Sequence, residues 1–328
     1  MIIAVDAVGG DYYPKSPVEG SIQAIKEDPN LTIVLVGPED VINDELGNHD
    51  YDPERLLVQH APEIIGMDDE SPAQAVKTKQ NSSIVTGVGM HKKGKCNAFL
   101  SAGNTGALLA ASTFLLGKLE GVSRPTIAAI YPTIKGPRLV MDAGANLEVR
   151  PSMFVEFAKM GRVFAEEIMD VDDPQVGLLN VGEEEEKGTE NLKSAHDELQ
   201  SLPNFIGNVE GGDIFSGKAD VFLCDGLIGN IVLKFGESIP DALELFVKKG
   251  IKDLGLGAEE AKLVSKVLKT SLAEFDPDKV GGVPFLGVNG LTMVGHGSSS
   301  PLAIKNMILS AAKCVDHNIN EKIVASLK

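Results

Sequence analysis

The sequence predicts an α/β fold, a three-layer αβα arrangement around a largely parallel sheet. Three observations predict it. Short apolar runs of strand length alternate with longer stretches of helical periodicity along most of the 328 residues. The short runs are continuous blocks of Val, Ile, Leu and Ala, as expected of strands covered on both faces. Gly, Asp and Asn gather just after those runs, where strand-to-helix turns fall.

Ile2 to Val5 is a strand ending at Asp6, followed by the turn Ala7 to Asp11 and a helix from about Pro17 to Lys26. Leu31 to Val36 is a second strand, stopped by Gly37-Pro38, and Leu56 to Val58 is a candidate third. Pro72 suits the first turn of a helix opened by Ser71. Ser82 to Lys92 is the next helix. Asn97 to Leu100 is a buried strand, and Leu108 to Leu116 the body of the helix after it. Ile127 to Tyr131 and Arg138 to Met141 read as a hairpin. Pro151 to Met169 is a long amphipathic helix. Gln175 to Val181 is a strand, and Glu183 to Gln200 is mostly helix. Asn204 to Val209 and Ala219 to Cys224 are strands. Three helical stretches follow: Ile228 to Phe235, Pro240 to about Leu254, and Ala258 to Phe275. A last unit, Phe285 to Val294, leads through His296 to Ser299 into a helix reaching Asp316 or beyond. No internal repeat or low-complexity linker interrupts this order, so residues 1–328 read as one α/β domain.

Composition narrows the function. The three Cys, at 96, 224 and 314, have neither metal spacing nor a disulfide pattern. Reduced thiols in the cytoplasm are the simplest expectation. The N-terminus reads as a strand rather than a signal peptide, and no apolar run has the length of a membrane span. A net charge of −17 argues against non-specific nucleic-acid binding. Any anionic ligand must therefore meet a local group of cations or backbone N–H groups.

The stretch Ser101-Ala102-Gly103-Asn104-Thr105-Gly106 joins strand to helix. Ser101, Asn104 and Thr105 are all plausible caps. Such a turn aims free N–H groups and the positive end of a helix dipole at one point, which suits an anion. An ordinary capped turn has the same composition. The case for function is the number of similar strand ends: Asp6 to Asp11, Ser101 to Gly106, Asp142 to Asn146, Asn180 to Glu183, Asp225 to Asn230 and His296 to Ser299. In a parallel sheet these are expected on one rim, where ligands bind.

Several chemistries are unsupported. Gly89 to Cys96 mimics a phosphate-binding loop, but Cys replaces the Ser or Thr that holds magnesium, and the segment follows a helix. No dinucleotide fingerprint, paired-histidine zinc motif or nucleophile elbow is present. What remains suits a site that binds phosphate and polarises a carbonyl. Each candidate also has a plainer role. Lys187 can pair with Glu183 along a helix, Arg124 can form a surface ion pair, and Asp142 and Asp225 can cap helices. Lys234 can be a surface residue, and His296 a loop histidine.

Taken together, the strand-end clusters closely resemble the bacterial phosphate acyltransferases of phospholipid synthesis (the PlsX family). The resemblance covers residues 1 to about 312. It rests on the six clusters, on Arg124-Pro125, on Leu179 to Glu184 and on Asn204 to Gly211. Departures are mild: Val8 where Met is usual, Leu227 where Phe is usual and Ser238 where Gly is usual. The resemblance implies a fold similar to phosphotransacetylases and isocitrate and isopropylmalate dehydrogenases. It implies transfer of a long-chain acyl group from acyl carrier protein to inorganic phosphate. It also implies a homodimer, and neither a metal nor another cofactor. Asn104, Thr105, Lys187, Asn180, Asp225, Asn230 and His296 are then the candidate catalytic residues. Gly9, Gly10, Ser101, Gly103, Gly106, Arg124, Asp142, Asn146, Ser298 and Ser299 are candidate phosphate or substrate contacts. A non-catalytic membrane-associated scaffold that binds acylated carrier is the alternative, and it gives no reason for so many polar strand ends.

Two features concern partners. The carrier is expected to be acidic, so a local basic patch must dock it, with His91 to Lys95 or Lys248, Lys249 and Lys252 as candidates. Residues 240 to 275 carry two amphipathic patterns joined by Leu254-Gly255-Leu256-Gly257, short enough for an antiparallel hairpin. Pattern alone fits ordinary core equally well; the resemblance favours a projecting hairpin that packs against its twin. Ile251, Leu254 and Leu256 beside the lysines would then form a tip suited to shallow contact with an anionic membrane. That places the protein in the cytoplasm, peripherally at the membrane. A downstream glycerol-3-phosphate acyltransferase is a possible partner there.

Overall fold

The computed structural model describes residues 1–69 and 71–328. The chain opens with β1 (Ile2–Asp6), α1 (Lys15–Glu27), β2 (Thr32–Gly37), α2 (Glu39–Leu46) and β3 (Leu56–His60). Next come α3 (Pro72–Thr78), α4 (Ser83–Lys92), β4 (Ala98–Ser101) and α5 (Thr105–Leu115). β5 (Thr126–Tyr131) and β6 (Arg138–Met141) form a hairpin, followed by α6 (Pro151–Glu167), β7 (Val176–Leu179), α7 (Glu190–Leu199) and β8 (Phe205–Val209). Then follow α8 (Gly211–Ser216), β9 (Val221–Leu223), α9 (Gly226–Asp253), α10 (Ala258–Ser271) and a short α11 (Pro277–Val280). β10 (Gly282–Leu286), β11 (Thr292–Gly295), α12 (Pro301–Asp316) and α13 (Ile319–Leu327) complete the chain.

Among the described residues eleven strands form one sheet, in the order β3-β2-β1-β4-β11-β10-β5-β6-β9-β7-β8. The consecutive pairs β11–β10, β10–β5 and β5–β6 are antiparallel. Every other neighbouring pair is parallel. Three reversals leave two parallel blocks running in opposite directions. This corrects the expectation of one rim. Asp6 to Asp11, Ser101 to Gly106 and His296 to Ser299 lie on one edge of the sheet. Asp142 to Asn146, Asn180 to Glu183 and Asp225 to Asn230 follow β6, β7 and β9 on the other.

The continuous apolar strands are covered on both faces, as their composition requires. Phe154, Phe157 and Phe164 of α6 and Ile304, Met307 and Ile308 of α12 are buried in one layer. Ile84 and Val88 of α4 with Leu108 and Ala111 of α5 are buried in the other. α4 comes close because residue 87 is glycine: a Cβ there would stand 2.0 Å from the Phe99 ring. At about 25 cal/mol per Å² of apolar surface removed from water, these two layers supply the main driving force for folding.

Two helix expectations change. Residues 183–189 are turn rather than helix; α7 begins only after Thr189, whose hydroxyl caps it by accepting the Leu192 N–H. The helix expected to restart at Pro240 is continuous from Gly226 to Asp253. Proline keeps a helical φ and removes only one hydrogen bond, and the helix runs on through it. α9 and α10 form the expected hairpin, and little of it packs on the body. The fully buried residues of α9 are Gly226, Gly229 and Gly236, and α10 has none. Ile231, Phe235, Leu245, Phe246, Leu263 and Val267 are exposed along the pair. At its tip Leu254 is 76% exposed, while Ile251 and Leu256 are half-buried. Among the described residues no helix is long and apolar enough to cross a membrane.

Candidate active site

The three loops of the first edge are tied together. The Asp6 carboxylate is buried and accepts the Ser101 hydroxyl at 2.6 Å and the Val8 N–H at 3.2 Å. Ser101 Oγ in turn accepts the Gly103 N–H at 3.0 Å. Burial pushes the Asp6 carboxyl up, against the pull of the hydrogen bonds from Ser101, Ser83 and Val8. Gly9 lies on this knot. A Cβ there would stand 2.8 Å from Asp6 Oδ2 and 2.9 Å from both Gly103 N and Ser101 Oγ. Gly10 takes φ +89°, which favours glycine. Asp11 then donates its N–H to the Gly297 carbonyl at 2.7 Å, joining the third loop.

Asn104 caps α5: its Oδ1 accepts the Ala107 N–H at 3.0 Å and its Nδ2 donates to the Gly66 carbonyl at 3.1 Å. The N–H groups of Thr105 and Gly106 find no acceptor among the described residues. They stand at the positive end of an 11-residue helix. On the third loop, His296 Nδ1 accepts the Ser298 hydroxyl at 2.7 Å and the Ser298 N–H at 3.2 Å. With Nδ1 accepting the Ser298 N–H, Nε2 is the ring nitrogen placed to donate. Ser299 is buried and donates its hydroxyl to the His296 carbonyl at 2.6 Å, so it shapes the turn.

A trough of about 600 Å³ lies between α5 and α9, floored by β11, β10 and β5. Gly103, Thr105, Gly106, His296 and Gly297 line it on the first edge, and Gly144 and Asn230 on the second. Its floor is apolar, with Ile127, Ala129, Val283 and Val294 beneath Leu109 and Leu233. The trough thus spans the reversed strands and recovers members of both groups of clusters. Lys234 is the one Lys or Arg among the lining residues described, and its ammonium pairs with Glu237 at 2.8 Å. From sequence alone it reads as a surface residue. Its spacing of four from Asn230 puts both on one face of α9, and that signal was available. Asp11 and Tyr131 line the trough too, and neither was singled out.

The remaining candidates lie outside the lining. Asp142 is fully buried and accepts the N–H groups of Ile127 and Ala145 at 3.1 Å and Asn146 at 2.6 Å, plus Asn146 Nδ2 at 2.9 Å. Burial pushes its carboxyl up, opposed by these bonds. Asn146 also donates to the Pro125 carbonyl at 2.8 Å. Asp225 caps α9 by accepting the Ile228 N–H at 2.8 Å. Asn180 donates to the Lys187 carbonyl at 3.1 Å, and the exposed Lys187 ammonium stands 3.9 Å from Glu184 rather than against Glu183. Arg124 is exposed and has no ion pair among the described residues. Of the candidate docking patches, His91 is half-buried and joins two elements: Nδ1 contacts the Cys96 carbonyl at 3.0 Å and Nε2 accepts the Leu291 N–H at 2.8 Å. Lys92, Lys93 and Lys95 are exposed beside it.

The fold defines a class first. It is an α/β sheet architecture shared with phosphotransacetylases: the crystal structure of one from Streptococcus pyogenes superposes with a TM-score of 0.64, at 16% identity, covering 96% of this chain and 94% of that one. The family follows from the sequence. The family described as fatty acid synthesis protein matches residues 1–322, and the chain belongs to it. A phosphate acyltransferase from Salinibacter ruber is 46% identical over 321 residues, covering 97% of this chain and 95% of its own. One from Chlorobaculum parvum is 45% identical over 338 residues, covering 100% and 99%.

Proposed function

We propose that the protein is a phosphate acyltransferase that moves a long-chain acyl group from acyl carrier protein to inorganic phosphate. The acyl phosphate then serves phospholipid synthesis through a glycerol-3-phosphate acyltransferase. The observation that carries this reading is the trough itself. A helix N-terminus with unused N–H groups, an imidazole donor and an ammonium meet an apolar floor in one cleft. Its membership of a family with relatives named phosphate acyltransferase supplies the reaction class.

In this reading phosphate is the nucleophile, so no enzyme nucleophile is required. A phosphate oxygen attacks the thioester carbonyl carbon, the new C–O bond forms, and the C–S bond breaks. The carrier thiolate leaves and takes up a proton. The Thr105 and Gly106 N–H groups and Lys234 hold the phosphate charge. His296 Nε2–H donates to the developing oxyanion. Asn230 orients the thioester from the far wall. Asp6, Ser101 and Ser298 position these groups rather than touch substrate. The exposed apolar faces of α9 and α10 fit a homodimer, and the Leu254 tip fits reversible contact with an anionic membrane.

The test is incubation of the purified protein with an acyl carrier thioester and labelled phosphate, trapping acyl phosphate with hydroxylamine. Phosphate-dependent product is expected. Carrier binding without turnover would instead support the scaffold.

A further inference from the structure

A second cleft, of about 620 Å³, lies around the edge of the sheet from the trough. Ile130, Pro132, Glu274 and Val280 line both. The two spaces therefore share a wall, at the end of β5 and just before β10. The floor of the second cleft is apolar and belongs to the other layer of the molecule. Ile168, Met169 and Leu309 are half-buried there against the α6 and α12 core. Its charged members are Glu274, Lys279 and Lys313; Glu274 and Lys279 pair with each other at 2.8 Å, and Lys313 pairs with Asp170 at 2.7 Å.

We infer that this second cleft takes the distal end of the substrate's acyl chain and sets the chain-length preference. The inference rests on the proposed acyl transfer. The trough must already hold phosphate, the thioester and the near part of the chain. A long chain leaving it past Pro132 and Val280 reaches apolar side chains rather than water. Each methylene buried there contributes about fourfold to binding.

The test fills the cleft without touching the trough. Leu309→Trp and, as an independent variant, Ser310→Phe are compared with wild type on carrier thioesters of eight and sixteen carbons, with thermal melts to verify folding. The expected result is a fall of about tenfold or more in kcat/KM for the long chain and little change for the short one. If both folded variants keep the wild-type ratio of long to short chain, the inference fails. A rise in KM that is equal for both chains would also overturn it, since that marks a path for the carrier arm. If the wild type makes no acyl phosphate from either thioester, the function reading fails instead.

Discussion

The two edges of the sheet carry polar strand ends of nearly the same composition, yet they do opposite things. On the second edge Asp142 spends its oxygens on four donors of its own loop and neighbour, and Asp225 spends its carboxylate on a helix cap. On the first edge the carboxylate and hydroxyl are equally occupied, but the N–H groups of Thr105 and Gly106 and the Nε2 of His296 are left over. Polar residues at a strand end therefore mark a turn. Polar groups without internal partners mark a site.

The sharpest way to break this contrast is Asp142→Ala. It strands three backbone donors, two of them in buried surroundings, and should cost on the order of 4 kcal/mol in urea unfolding. The folded remainder should turn over normally. A stable variant with no activity would make Asp142 itself part of the chemistry, beside Asn230 of the same edge. Next in size is His296→Ala, which should lower kcat by about a hundredfold or more while the melting temperature stays near that of wild type. Lys234→Ala should raise the KM for phosphate more than Lys187→Ala does. The reverse order would show that the 182–188 loop reaches a trough.

Smaller effects sharpen the contrast through pH and thiol chemistry. Burial raises the Asp6 carboxyl, so the native state favours its protonated form. That contribution is full below the unfolded value of 3.8 and is lost as pH rises through the higher folded value. Asp6→Asn should escape the loss, so its stability relative to wild type should improve between acid and neutral pH. Cys96 is pushed up to about 11 and Cys314 to about 12 by burial, and Cys224 well above its ordinary value. Native protein at pH 8 should resist alkylation at all three. Cys224, whose Sγ lies 3.5 Å from the Asp142 carbonyl, should be the first to label when Asp142 is replaced.

Much of the fold was legible because each strand is a solid apolar block and each turn carries its own punctuation. Direction was not legible. The β5–β6 hairpin could be read from its two short runs, but the pairing of β10 with β5 joins residues far apart in the chain. Without it the second block appears to run with the first. α8 has no counterpart in the sequence reading: two adjacent glycines are poor helix formers, and the signal for its start is Asp213, whose carboxylate accepts the Glu210 N–H at 2.8 Å. At the site, Gly103, Thr105, Gly106, Asn230 and His296 were legible from their setting at strand ends. Lys234 carried one signal, its spacing of four from Asn230, and that spacing gains meaning only once α9 is known to wall a cleft.

α9 meets the body where a side chain cannot fit. A Cβ on Gly229 would stand 1.8 Å from the Asp142 carbonyl oxygen, and one on Gly236 would stand 2.3 Å from the Tyr131 hydroxyl. Every residue beyond them reaches outward on a rod of 28 residues, about 42 Å long. The rod is therefore divided in its tolerance of change. Its root is locked by two positions that admit one amino acid, while its outer half can be exchanged as a cassette. A chimera that takes residues 240–271 from a relative replaces no residue of the trough lining, and should keep its own trough and inherit the donor's association behaviour.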